Sequence, residues 1–135
     1  MHRSHPCRSG PLAVLALIGC LTILPDEAGA AEQRFPDVVA ADVTPHGADS
    51  FDFDVTISSP YDSPQRYADG FRVSGADGTV YGERKLLHDH ATEQPFTRDL
   101  YGVTIPHSVR NVIIQARDQR YGYGGKTLEV TLPGR

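Results

Sequence analysis

Apolar and polar side chains alternate along much of the chain beyond residue 37. The clearest run covers residues 51–57, where every second side chain from Phe51 to Ile57 is apolar and the positions between them carry aspartate or threonine. Successive side chains of a β-strand point to opposite faces of the sheet. This pattern therefore predicts a strand with one buried face and one face in water.

Further runs have the composition of strands and are separated by turn residues. They cover residues 38–43, 71–73, 79–81, 96–105, 109–117 and 128–132. The Asp77-Gly78 pair indicates a hairpin between two of them. Residues 86–93 would allow one or two helical turns at most, so the sequence predicts an all-β fold: an immunoglobulin-like sandwich of about seven antiparallel strands. The predicted core residues are Phe53, Val55, Val112, Ile114 and Val130.

The first 30 residues have the pattern of an export signal. A basic start precedes an apolar run from Leu12 to Leu24, Pro25 ends the run, and residues 28–30 read Ala-Gly-Ala. The run is shorter than the roughly 20 apolar residues of a membrane-spanning helix. We therefore expect a cleaved signal peptide at 1–30 and a single domain at 31–135, exported to the periplasm or the extracellular space, with no transmembrane segment in the mature chain.

A second kind of processing competes with this cleavage. Residues 17–20, Leu-Ile-Gly-Cys, resemble the lipobox of bacterial lipoproteins, in which the cysteine is lipidated and becomes the first residue. The apolar run continues past Cys20 to Leu24, whereas a lipobox cysteine more often opens a polar tether. Cleavage after Ala30 is therefore favoured, and lipid attachment at Cys20 stays as the alternative.

Charge and cysteine content narrow the function classes. The chain of 135 residues has a net charge of −4, and removing residues 1–30 leaves 11 basic and 15 acidic residues with the same balance. Nucleic-acid binding needs clustered positive charge and is disfavoured. The two cysteines, Cys7 and Cys20, both precede residue 31, so the mature domain has no disulfide.

Two segments resemble parts of small exported bacterial proteins of unassigned activity. They are residues 87–97, LHDHATEQPFT, and residues 116–126, ARDQRYGYGGK. The strand pattern also resembles immunoglobulin-like and fibronectin-type-III-like sandwiches in architecture, without the Cys–Trp–Cys signature of antibody domains. These resemblances imply an exported β-domain and carry no catalytic residue with them.

The strongest candidate for a metal site is the segment His88-Asp89-His90, and Glu93 follows it three residues later. In a strand, residues two apart point the same way and lie about 6.5–7 Å apart, so two imidazoles could bind one ion. Glu93 or His107 could supply a third ligand. Because the mature chain has no sulfur ligand, Zn²⁺ or Cu²⁺ would be the ion. The alternative is a histidine pair at a strand end that bonds only to backbone and water.

The second candidate is the glycine-rich loop of residues 118–126. Its glycines allow positive φ and close approach of the backbone. Loops at the ends of sandwiches often form binding surfaces. The alternative is a tight strand connection whose tyrosines cover the edge of the core. The residues that would contact an anionic ligand, a sugar or a partner protein are Arg117, Arg120, Tyr121, Tyr123 and Lys126.

The sequence favours a protein that is not an enzyme. It contains no Gly-x-Ser-x-Gly motif, and the mature chain has no cysteine nucleophile. We therefore expect a small exported binding or interaction module, without a cofactor, that uses the end loops of a β-sandwich to contact a protein or envelope ligand. The alternative is a periplasmic protein that binds a divalent metal through His88 and His90.

Overall fold

The computed structural model describes residues 10–11 and 33–135. The predicted signal peptide, its cleavage after Ala30 and the possible lipidation of Cys20 lie outside the described residues, apart from Gly10 and Pro11. The described residues contain no helix, and among them no segment could cross a membrane as one. The predicted all-β fold is confirmed.

Eight strands make two antiparallel sheets. The first sheet has the order β1-β2-β5, and the second has the order β4-β3-β6-β7, with β8 also paired to β6. The strands therefore form a β-sandwich in which β2, β3 and β6 are flanked by partners on both sides. Their bounds are β1 Asp37–Pro45, β2 Ser50–Ser58, β3 Ala68–Ser74, β4 Val80–Lys85, β5 Phe96–Thr104, β6 Asn111–Asp118, β7 Gly122–Tyr123 and β8 Leu128–Thr131.

One apolar cluster fills the space between the sheets. Phe53 and Val55 of β2 and Val112 and Ile114 of β6 are fully buried, as the alternation predicts. Val130 is only partly buried, because the edge strand β8 lies at the margin of this cluster. Burying a side chain of this size stabilises the fold by about 1.5–3 kcal/mol, so β2 and β6 contribute substantially to the folding free energy.

A bulge in β5 lets Leu100 and Val103, which are three residues apart, both face the core. Phe51 pairs with Val103 and Phe53 pairs with Leu100, so β5 carries one residue more than β2 between these two pairs. Gly102 lies in this interval with a φ of 68°, a conformation that other L-residues rarely adopt. The extra residue keeps Phe51 and Val103 buried on the same side.

The structure departs from the sequence prediction in two places that matter for function. Residues 122–123 inside the predicted glycine-rich loop form the short strand β7, which pairs with the end of β6. His88 and His90 do not lie at the end of a strand: β4 ends at Lys85 and β5 begins at Phe96, so both histidines belong to a loop. The strand geometry that was expected to align the two imidazoles is therefore absent.

Both candidate loops lie at the same end of the sandwich. Strands β1, β3 and β5 begin there and strands β2, β4 and β6 end there. We call this end the N-terminal pole, because residue 33 enters β1 from it. It comprises residues 33–36, 59–67, 86–95 (the histidine loop) and 118–126 (the tyrosine loop), with the adjoining strand ends. The opposite C-terminal pole comprises residues 46–49, 75–79, 105–110 and 132–135.

Candidate functional site

The two histidines of the histidine loop lie close together. Their ring centroids are 4.9 Å apart, with the rings tilted by 41°. His88 is exposed, and its Nδ1 lies 2.9 Å from the carbonyl oxygen of Asp89. A carbonyl oxygen can only accept, so Nδ1 of His88 carries a proton, and in the neutral form of the ring the lone pair is on Nε2. A neutral imidazole fixed in this way is the form in which histidine binds a metal.

His90 is buried, in contrast to its neighbour. Its side chain is 3% exposed and its ring stacks on Phe96, with a centroid distance of 3.9 Å. Burial lowers the pKa of His90, and the nearby charges of Arg98 and His88 lower it further, against the opposing effects of Asp62 and Glu93. His90 is therefore neutral at neutral pH, and its Nδ1, 3.9 Å from a carboxylate oxygen of Asp62, forms no ion pair there.

The proposed third metal ligands are engaged elsewhere. Glu93 accepts hydrogen bonds from Arg98 at 3.0 and 3.4 Å, and these bonds lower the pKa of the Glu93 carboxyl. His107 lies at the C-terminal pole, with Nδ1 3.2 Å from Asp49. Within residues 10–11 and 33–135, no three histidine, cysteine or acidic side chains are grouped as metal ligands. The structure therefore brings together His88 and His90 alone.

A buried carboxylate holds the histidine loop against the domain. Asp62 accepts hydrogen bonds from the backbone amides of His90 and Ala68, each at 3.0 Å. The loop is also held by Gln94, which accepts from the amide of Ser59 at 2.8 Å. These contacts give His90 its position without regular secondary structure around it.

A second buried carboxylate holds the tyrosine loop. Asp118 is fully buried and accepts hydrogen bonds from the amides of Arg120 and Tyr121 at 2.7 and 2.8 Å. Its other oxygen accepts from Nε of Arg66 at 3.0 Å. Burial raises the pKa of the Tyr61 hydroxyl, and the neighbouring Asp118 carboxylate raises it further. Asp118 thus anchors the loop by its charge, and the tyrosine beside it stays protonated.

The five predicted contact residues of the tyrosine loop do not converge on one point. Arg117 forms an ion pair with Asp69, and its guanidinium lies 6.0 Å from the ring of Tyr123. The Tyr123 hydroxyl donates to Glu83 at 2.5 Å; burial, together with this bond, raises the pKa of Tyr123 to about 12. Arg117 and Tyr123 therefore lie on the side of β4, whereas Tyr121 faces the segment that enters β1.

Tyr121 packs against the polypeptide just before β1. Its ring makes an edge contact with Phe35 at 6.2 Å, and the guanidinium of Arg34 lies 5.3 Å from its centroid. The approach depends on Gly124, where an added Cβ would lie 2.4 Å from the Phe35 ring. Arg120 and Lys126 stay exposed, and their backbone amides are bonded to Asp118 and Asp37.

A cleft of about 440 Å³ opens beside β4, next to the histidine loop. Arg117 lines it from the end of β6, where the tyrosine loop starts, and Leu87 lines it from the histidine loop. A hollow of about 170 Å³ adjoins it, shares residues 84–87 with it, and reaches His88 and His90. We refer to both together as the β4 cleft. It places the histidine loop and Arg117, one of the five predicted contact residues, around one space.

Asp62, Arg66 and the β4 cleft were not predicted from the sequence. Residues 59–64 have two prolines and read only as a loop, and nothing in their pattern says that Asp62 and Arg66 reach the two other loops. Asp118 stands at the end of an alternating strand, in register with Val112, Ile114 and Ala116 on the buried face. This alternation is the one sequence signal from which the burial of Asp118 could have been predicted.

Comparison with known proteins gives one informative similarity. No protein-family model matches the chain, and no solved structure matches it. A protein of Halomicrobium mukohataei named "Putative lipoprotein" is 34% identical over 107 residues, which cover 78% of this chain and 52% of the relative. The chain thus spans about half the length of the curated relative it matches. The relative's name gives no activity, so the similarity carries none to this chain.

Proposed function

We propose that the chain is a small exported, non-catalytic binding module with an immunoglobulin-like strand arrangement, and that its contact surface is the N-terminal pole. The observation that carries this proposal is the β4 cleft, which is lined by Leu87, His88 and His90 of the histidine loop and by Arg117, the residue just before the tyrosine loop. Loops held by a rigid scaffold are the usual location of binding sites. Here the scaffold is the two sheets, and the buried Asp62 and Asp118 fix the loops to it.

The manner of attachment to the cell belongs to the same proposal. Cleavage after Ala30 would release the domain, whereas lipidation of Cys20 would tether it to a membrane. The name of the Halomicrobium relative supports the tethered form, and the apolar run beyond Cys20 supports release. In either form the N-terminal pole is the end at which residue 33 enters the sandwich.

Immunoprecipitation from the native envelope tests the proposed surface. A Leu87→Asp/Arg120→Glu double variant alters the N-terminal pole, and Val80→Asp/Arg110→Glu makes the matched change elsewhere. All four side chains are exposed, so both variants should keep the wild-type melting temperature. We expect the first variant to lose the envelope component that wild type retains and the second to keep it. Retention by both, or loss by both, would contradict the assignment of the surface.

A second candidate function is divalent-metal binding by His88 and His90. The observation in its favour is the 4.9 Å separation of the two rings, with Nδ1 of His88 occupied by a carbonyl and His90 neutral. Water would complete the coordination of a two-histidine site. Zn²⁺ and Cu²⁺ are the ions that imidazole favours.

A further inference from the structure

Four exposed cations at the N-terminal pole have no carboxylate partner among the described residues. They are Arg34, Lys85, Arg120 and Lys126. The remaining arginines of this pole are paired: Arg66 with Asp118, Arg84 with Asp99, Arg98 with Glu93 and Arg117 with Asp69. The four cations are therefore available to an external anion.

The carboxylates of this pole do little to offset that exposed charge. Asp62 and Asp118 are buried, and Glu93 is neutralised by Arg98. Asp37 and Asp89 are partly buried and accept backbone amide hydrogen bonds. On the rest of the described domain, exposed acids without an ion-pair partner outnumber exposed cations without one. The exposed acids without a cation partner there are Asp42, Asp77 and Glu129, and the one such cation is Arg110. Glu83, beside Lys85 in the β4 cleft, is also exposed without a cation partner in the described part of the chain, and it accepts the hydrogen bond of the Tyr123 hydroxyl. A chain of net charge −4 thus presents a basic surface at one end.

Large apolar side chains are exposed beside these cations. Leu87 is 83% exposed and lies two residues beyond Lys85; Tyr121 is 44% exposed and follows Arg120. Cations next to exposed leucine and tyrosine suit a surface that is anionic outside and apolar beneath, which is the interface of an anionic lipid bilayer. A soluble anion would use the charges and leave Leu87 without a partner.

The position of the N-terminus agrees with this interpretation. Twelve residues separate Cys20 from Gln33 in the sequence, and a fully extended chain spans at most about 3.6 Å per residue. A domain lipidated at Cys20 would therefore keep its N-terminal pole within roughly 45 Å of the bilayer. We propose, building on the choice of this pole as the contact surface, that it docks on an anionic membrane surface, with the four cations at the lipid head groups and Leu87 entering the interface.

Single-tryptophan fluorescence can test this docking, because the chain contains no tryptophan. Leu87→Trp reports on the N-terminal pole, and Val80→Trp is the matched reporter, since Val80 is 46% exposed and lies at the other end of β4. Each full-length variant is reconstituted into vesicles of phosphatidylcholine, alone or with phosphatidylglycerol, that carry brominated lipids as quenchers. Both variants share the same N-terminal segment, so the difference between them reports the orientation of the domain.

We expect a blue shift and strong quenching of Leu87→Trp in phosphatidylglycerol vesicles, and neither for Val80→Trp. Quenching should weaken in 1 M salt, where the screening length is about 3 Å. Replacing Lys85 or Arg120 by Gln should weaken docking about fivefold each, whereas Arg110→Gln should not. Equal quenching of both reporters, or equal quenching with and without phosphatidylglycerol, would overturn the docking. If the docking is overturned in this way, loss of the envelope component by the Leu87→Asp/Arg120→Glu variant alone would still support the N-terminal pole as the contact surface.

Discussion

The two poles of the sandwich are built in different ways. At the C-terminal pole the connections are short, and Arg135 covers the end of the core. Its guanidinium donates to the carbonyl oxygens of Ile105 and Val109 at 2.8 and 2.7 Å and lies 4.8 Å from the ring of Phe51. At the N-terminal pole the connections are longer, and buried carboxylates hold them by their backbone amides.

This difference explains why the candidate site lies at one end. A short turn satisfies its own backbone hydrogen bonds, as residues 75–79 do, and leaves few side chains for a ligand. A long loop needs outside partners for its amides, because buried polar groups without hydrogen bonds are costly. Asp62 and Asp118 supply those partners, and they free the exposed side chains of both loops for contact.

The largest expected effect comes from the core that supports both poles. Phe53 is fully buried in the central strand β2, so Phe53→Ala should lower the free energy of unfolding by about 3–5 kcal/mol. Urea unfolding followed by far-ultraviolet dichroism measures this. Val39→Ala, at a site that is 49% exposed, is the control. A loss below about 1 kcal/mol for Phe53→Ala would mean that this face of β2 does not form the core.

If the domain binds a divalent metal, the stabilisation should depend on the histidines of the N-terminal pole and not on His107 of the C-terminal pole. If His88 and His90 bind Zn²⁺ or Cu²⁺, a hundredfold excess of ion over its dissociation constant should stabilise the domain by about 2.7 kcal/mol at pH 7.5. The effect should shrink at pH 5, where protons compete more strongly with the metal ion for the imidazole nitrogens. His88→Ala should abolish it and His107→Ala should not, as a thermal melt can show. Superimposable melts with metal and with chelator would remove the metal function.

Asp118, the buried carboxylate of the tyrosine loop, should contribute more to stability than an exposed carboxylate of the C-terminal pole. Asp118→Asn should destabilise the domain by about 1–3 kcal/mol, because the Arg66 guanidinium and two loop amides lose a charged acceptor. Asp49→Asn at the C-terminal pole should cost about 0–1 kcal/mol, since that carboxylate is 50% exposed. Chemical denaturation measures both. Equal losses would mean that the carboxylate scaffold is not specific to the N-terminal pole.

A smaller effect should follow from the titration of His90. Its pKa in the folded domain is lowered by burial, then by Arg98 and His88, so the unfolded chain takes up a proton at a higher pH than the folded one. Its contribution is therefore constant above about pH 6.5, and stability falls as the pH drops from there through the folded pKa. His90→Gln should remove this slope. His46→Gln is the control: its side chain is 76% exposed, and we expect this variant to keep the slope. If His90→Gln keeps the slope of wild type, His90 is not the group that causes it.

Much of the sandwich could be predicted from the alternation of apolar residues, whereas little of the candidate site could be. Alternation depends on local backbone geometry, so the inward faces of β2 and β6 could be read residue by residue. The contacts of Asp62 with His90 and of Arg66 with Asp118 join segments 28 and 52 residues apart. Distances of that kind are set by how three loops meet at one pole, and no local pattern encodes them.

Site-specific photo-cross-linking in intact cells tests the central claim most directly. A benzophenone side chain at position 87 reports on the N-terminal pole, and the same group at position 80 reports on the opposite end of β4. If the N-terminal pole is the contact surface, position 87 should form adducts with protein or lipid of the envelope and position 80 should form few. Equal adduct yields at both positions, or adducts at position 80 alone, would contradict the account.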